Sequence, residues 1–226
     1  MKRYLLQLVF LVLLSGTVSK VYGQGDDNMY PQGSDVKVPE PLPLPEFPIV
    51  NGNVVYQKVF EFEGADTGTL YGIALRYVSE YYRSAKTVID VTDPISGLVV
   101  VKGNFSITSD VYFRFFGTMK SQREQRTAHT LKIECRPGRV RVTIDNLQVI
   151  QEAYPDLGVP YSEIPISDLI KAANQYESYA ASEKPKKGEK LKQVNRTILL
   201  DELDLKASLF LQELRPFFGK ELAEDW

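Results

Sequence analysis

Residues 130–145 read TLKIECRPGRVRVTID, with apolar and polar side chains alternating on both sides of a Pro-Gly pair. A strand sends neighbouring side chains to opposite faces. Leu131, Ile133 and Cys135 therefore share a dry face with Val140, Val142 and Ile144, while Lys132, Glu134, Arg139 and Arg141 share a wet one. Two such runs around Pro137-Gly138 predict an antiparallel hairpin. Upstream, Leu98 to Ile107 and Val111 to Gly117 are rich in Val, Phe and Tyr and read as two more strands. Four consecutive strands with short connections predict a meandering antiparallel sheet rather than βαβ units.

Before this sheet, Val54 to Phe62 forms a β-rich run between Asn51-Gly52-Asn53 and Gly64. Leu70, Ile73, Ala74, Tyr77, Val78 and Tyr81 then recur at spacings of three and four, the signature of one helical stripe. Thr67 or Thr69 is the expected cap, and the helix should stop near Arg83 to Lys86. Thr87 to Val91 reads as a short strand, with Asp93-Pro94 and Ser96-Gly97 as the turn into the sheet. After Ile150, Tyr154-Pro155-Asp156, Gly158 and Pro160 mark a loop, and a helix opening at Ile166 or Ser167 runs through Ser178. A last helix, from about Thr197 to Phe218, carries Leu200, Leu203, Ala207, Phe210, Leu211, Leu214 and Phe217 on a broad apolar face. That face covers the core sheet or meets a partner helix.

The two ends have other compositions. Lys2 and Arg3, the apolar run Tyr4 to Leu14 and the small residues after it make residues 1–23 a signal peptide. The run is too short for the roughly 20 apolar residues of a membrane span. Export to the periplasm or cell envelope is expected, with no transmembrane span in the mature chain. Residues 24–52, with prolines at 31, 39, 41, 43, 45 and 48, read as an extended linker. The expected plan continues with an α+β domain at 53–151, a loop and helix at 152–182, a Lys-rich linker at 183–194 and an amphipathic helix at 195–226.

Charge and rare residues exclude several chemistries. The net charge of −2 becomes −5 once Lys2, Arg3 and Lys20 leave, with 24 basic against 29 acidic residues. That balance opposes general nucleic-acid binding. His129 is the only histidine, which excludes multi-His metal sites; it reads as a surface or sheet-edge imidazole. Cys135 is the only thiol and reads as buried and inert. A Cys–His dyad fails because six residues along a strand hold the two about 20 Å apart. No Walker loop, dinucleotide turn or nucleophile elbow occurs, and no catalytic residue, metal ligand or cofactor is assigned. Asn104 and Asn195 head short glycosylation-type tripeptides that are frequent by chance.

The order of strand, helix, short strand, meander and trailing helices resembles the bacterial domain-of-unknown-function family 4468, which has a TBP-like fold. The resemblance spans roughly Tyr56 to Ile150. It rests on Val59-Phe60-Glu61-Phe62, the helix with Leu70, Tyr71, Ala74 and Tyr77, the Asp93 to Gly97 turn, and Arg139-Val140-Arg141-Val142-Thr143-Ile144. It implies an α+β fold of β-α-β(4-5)-α order, with helices packed on one face of a twisted antiparallel sheet and here a C-terminal helical extension. It also implies a position behind an export signal. The family has no assigned activity, so no functional residues carry over.

The functional signal from the residues themselves is a basic excess between Arg114 and Arg141. Lys132, Arg139 and Arg141 share outward parity and are expected to gather with Tyr112 and Arg114. The partner would be an anionic envelope component or an acidic protein surface, bound through guanidinium forks. The plainer reading is cross-strand charge pairing on an exposed sheet. An exported, non-catalytic binding or scaffolding module follows from the first. An envelope enzyme built from scattered Asp, Glu, Tyr and Arg residues is the alternative, and nucleic-acid binding by analogy of fold is a third. Oligomeric state is not encoded in any pattern found.

Overall fold

A computed structural model describes residues 36–82, 84–114, 117–152 and 160–224. The expected signal peptide, the first part of the Pro-rich segment and the loop expected at Tyr154 to Gly158 lie outside them. In chain order the elements are β1 (Ile49–Val50), β2 (Asn53–Val54), β3 (Tyr56–Glu61), α1 (Thr67–Tyr81), α2 (Ala85–Val88), β4 (Ile89–Asp93), β5 (Leu98–Arg114), β6 (Thr118–Arg136), β7 (Arg139–Gln151), β8 (Ser162–Pro165), α3 (Ile166–Ser182) and α4 (Lys187–Glu224). β1 and β2 form a small ribbon. The main sheet is antiparallel in the order β3-β7-β6-β5-β4, with β8 on β7.

The expected hairpin forms, with the expected residues on its dry face. Cys135 faces Val140, Ile133 faces Val142 and Leu131 faces Ile144, all six buried. Gly138, at φ +74, supplies the left-handed turn residue after Pro137. The two strands expected upstream are one: β5 runs unbroken through Ser106 to Asp110, because Ile107, Ser109 and Val111 keep the inward parity set by Val99 and Val101. β7 also changes parity midway. Asn146, at φ 52, starts a bulge that places two β7 residues opposite His129, so the dry positions pass from Ile144 to Leu147 and Val149.

One face of the sheet carries the helices. α1 buries Leu70, Ile73, Ala74, Tyr77 and Val78, as the stripe predicts. Its cap is Asp66 rather than Thr67 or Thr69. The Asp66 carboxylate accepts the Thr69 N–H at 3.0 Å and the Thr69 hydroxyl at 2.8 Å, which makes Thr69 the donor. Thr87 and Val88 belong to a helical turn, and the short strand begins at Ile89. α4 folds back over the sheet and buries Leu200, Leu203, Ala207, Phe210, Leu211, Leu214 and Phe218. Phe217 is half-buried, its ring edge-on to Tyr77 at 5.1 Å. At roughly 1.5–3 kcal/mol for each fully buried large apolar side chain, α4 is a main contributor to the core rather than an appendage.

Both expected linkers are in part structural. α4 begins at Lys187, ten residues before the expected start, because Leu191, Gln193 and Val194 are buried and hold that turn. From Val36 to Pro48 the chain lies against the domain as a strap. Val36 and Val38 pack beside Tyr112, Leu191 and Val194, while Leu44 and Phe47 reach the main core. The Val36 N–H donates to Thr118 O at 3.2 Å, Leu42 N–H donates to Thr197 Oγ1 at 3.1 Å, and Lys190 pairs with Glu40 at 2.5 Å.

Candidate functional site

Among the described residues no helix covers the opposite face of the sheet, and the inward alternation of Cys135, Val140 and Val142 sends Arg136, Arg139 and Arg141 out onto it. Rows of side chains cross it in register: Glu61, Arg139 and Arg136; then Val59, Arg141, Glu134 and Leu98; then Gln57, Thr143, Lys132 and Val100. Arg141 donates Nε to Glu134 Oε2 at 2.6 Å and Nη2 to Glu134 Oε1 at 2.5 Å, a fork-to-carboxylate pair. That contact, with Arg136 and Lys132 nearby, holds the Glu134 carboxyl below its usual range. Lys132 is engaged by Asp145 at 2.6 Å. Val59, Glu134, Arg136, Arg139 and Arg141 line a pocket of about 310 Å³. Among the described residues no ion pair engages Arg136 or Arg139.

The five residues expected to form one patch occupy two places. Lys132, Arg139 and Arg141 stand together at the β6–β7 turn. Tyr112 and Arg114 lie at the far tip of β5, about 40 Å away, since Lys132 faces Val100 and twelve residues separate Val100 from Tyr112. Reading β5 as two short strands concealed this distance. Tyr112 is also buried, packed against Leu191 and Val194. Its backbone N–H and C=O are held by the Asn195 side-chain amide, each at 2.8 Å, so α4 supplies the rung a neighbouring strand would have supplied. The Asn195 amide is thereby committed to the Tyr112 backbone on both its oxygen and its nitrogen. Arg114 joins Lys37 and Lys190 around a second pocket of about 390 Å³, floored by Val36, Val38 and Leu191.

His129 is in the core, not at a surface or sheet edge. Its parity matches Leu131 and Ile133, and α1 and α4 cover it. Its ring stacks on Phe105 at 4.9 Å, and Nε2 shares a 2.5 Å hydrogen bond with the Tyr82 hydroxyl. Gly103 makes room for this: a Cβ there would stand 2.3 Å from the Tyr82 ring. Burial pushes the imidazole down to about 4. Cys135 is buried as expected, and burial raises its thiol to about 12. Among the described residues no group of three or more His, Cys, Asp or Glu is placed to hold a metal ion, and no helix is long and apolar enough to cross a membrane.

Comparison with solved structures finds a TBP-like protein from Parabacteroides distasonis ATCC 8503, at 15% identity and TM-score 0.44, covering 72% of this chain and 94% of that one. A DUF4468 family protein from Bacteroides ovatus ATCC 8483 matches at 17% identity and TM-score 0.45, covering 76% and 90%. No curated protein matches. The family model described as a domain of unknown function (DUF4468) with TBP-like fold matches residues 56–149, the span from β3 almost to the end of β7. Over that span the chain is similar to the DUF4468 family with its TBP-like fold, and α3 and α4 extend beyond the matched residues.

Proposed function

We propose that this protein is an exported, non-catalytic binding module of the cell envelope, and that the uncovered face of its sheet engages an anionic component there. The observation that carries this reading is the guanidinium group at the β6–β7 turn: three arginines around one pocket, two of them with no ion pair among the described residues. Pairing alone accounts for Lys132 and Arg141. It does not account for Arg136 and Arg139, which stand directly opposite each other as like charges. Export rests on the composition of residues 1–23.

The enzyme alternative receives less support. A buried His129 and a thiol raised to about 12 are poor participants in chemistry on an external substrate. The two pockets described are lined by cations with a single carboxylate between them, not by converging acids. Charge reversal at Arg139 and Arg141 tests the proposal. Retention of the doubly reversed protein on envelope fractions should drop while its circular dichroism stays unchanged; unaltered retention refutes it.

A further inference from the structure

The β6–β7 turn brings two guanidiniums together where a sheet would ordinarily place opposite charges. Arg136 and Arg139 are register partners, so their Cβ atoms stand about 4.5–5.5 Å apart on one face. The turn between them is held. Gly138 O accepts the Phe62 N–H at 2.7 Å, and Gly138 N–H donates to Ala65 O at 2.8 Å, which ties the turn to the β3–α1 connection. The pair cannot separate by opening the turn, and like charges at such a separation are destabilising unless an anion lies between them. Glu61 is Arg139's neighbour across β3, yet no ion pair joins them among the described residues, and Glu61 does not line the pocket. Glu134 is committed to Arg141 on two donors. A guanidinium has five N–H groups, so Arg141 keeps three for another acceptor.

Charge and donor geometry together select a ligand class. Three arginines against Glu134 leave the pocket lining at +2. A carboxylate or a phosphodiester brings one negative charge, whereas a phosphomonoester brings close to two at pH 7 and three acceptor oxygens. Three oxygens match three guanidiniums, and planar forks are suited to phosphate oxygens. Val59, 49% exposed on the same row, offers an apolar wall beside the cations for the group that carries the phosphate. Resting on the binding reading above, we propose that the pocket of Arg136, Arg139 and Arg141 is a phosphomonoester site, bridging Arg136 and Arg139 and taking its third set of hydrogen bonds from Arg141.

The test uses the purified full-length mature chain and titration calorimetry with glucose 6-phosphate. Parallel arms use dimethyl phosphate, acetate, and phosphatidylcholine vesicles with and without phosphatidic acid. One site for glucose 6-phosphate is expected, weakening as pH falls below about 6, where the phosphate gains its second proton. Arg139→Ala should weaken it about tenfold to a hundredfold, the size of a lost charge-assisted contact. Arg139→Lys, which keeps the charge but not the fork, should fall between. Arg139 is exposed, and circular dichroism verifies folding of each variant. Binding to phosphatidic acid vesicles alone supports the inference and places the phosphate on a lipid; binding to glucose 6-phosphate supports a soluble or glycan source. If dimethyl phosphate or acetate binds as tightly, the phosphomonoester assignment is overturned while the anionic-partner reading survives. If no probe binds, the phosphomonoester assignment falls, and if charge-reversed protein is also retained on envelopes like wild type, the binding reading falls with it.

Discussion

Replacing His129 by Gln removes the one buried imidazole while leaving a group that can still bond the Tyr82 hydroxyl. An imidazole titrates near 6.5 in an unfolded chain, and in the native core burial sets it at about 4. Above pH 6.5 neither state holds the proton and stability is at its full value. Between 6.5 and about 4 the unfolded chain takes up a proton that the native core refuses, and stability declines by about 1.4 kcal/mol for each pH step of one. The loss across the window is about 3 kcal/mol, a large share of the roughly 5–15 kcal/mol that holds an ordinary domain together. Urea denaturation followed by circular dichroism at pH 7.0, 5.5 and 4.5 measures it directly. The variant should be less stable than wild type at pH 7.0 through imperfect packing, yet its stability should fall much less on acidification. Equal acid slopes in the two proteins would show that His129 is not held neutral, and the core assignment would be wrong.

Other consequences are as direct. Asn195→Ala strips both hydrogen bonds from the Tyr112 backbone and should cost about 1–3 kcal/mol in urea melts; an unchanged midpoint would mean that the rung is not formed. Gly97→Ala places a Cβ 2.3 Å from Cys135 O at a residue with φ +68, so it should destabilise by more than about 1 kcal/mol. A variant as stable as wild type refutes that. Cys135 should react with a thiol-specific disulfide reagent only at the rate of unfolding, and rapid labelling of native protein would contradict its burial.

The parts legible in sequence are those governed by local period. Alternation in residues 130–145 is enough to read the hairpin and its two faces, and the three-four spacing from Leu70 to Tyr81 is enough to read α1. What escaped was set by distant contacts. Lys187 to Gln193 looks like a solvated charged stretch until Leu191 and Val194 find Tyr112, more than seventy residues earlier. His129 is polar by type but shares parity with Leu131, and the same alternation that placed Cys135 inside could have placed it there. The Asn146 bulge has a positive φ that only an Asn or Gly accepts readily, yet nothing local says that the parity will flip there. As for the candidate site, Lys132, Arg139 and Arg141 could be grouped because they share outward parity on one hairpin, while Arg136, which lines the same pocket, was left out of that group. Their supposed companions Tyr112 and Arg114 were not separable from them without knowing that β5 is seventeen residues long.

The strap has a consequence for how the molecule is held. Val36 is fastened at Thr118, the near end of β6, and the arginine pocket opens at Arg136, the other end. Eighteen residue steps at about 3.3 Å each put up to about 60 Å between leash and mouth. A pull applied at Val36 leaves the Arg136 to Arg139 turn at the opposite end of that strand, as on the tip of a stiff arm.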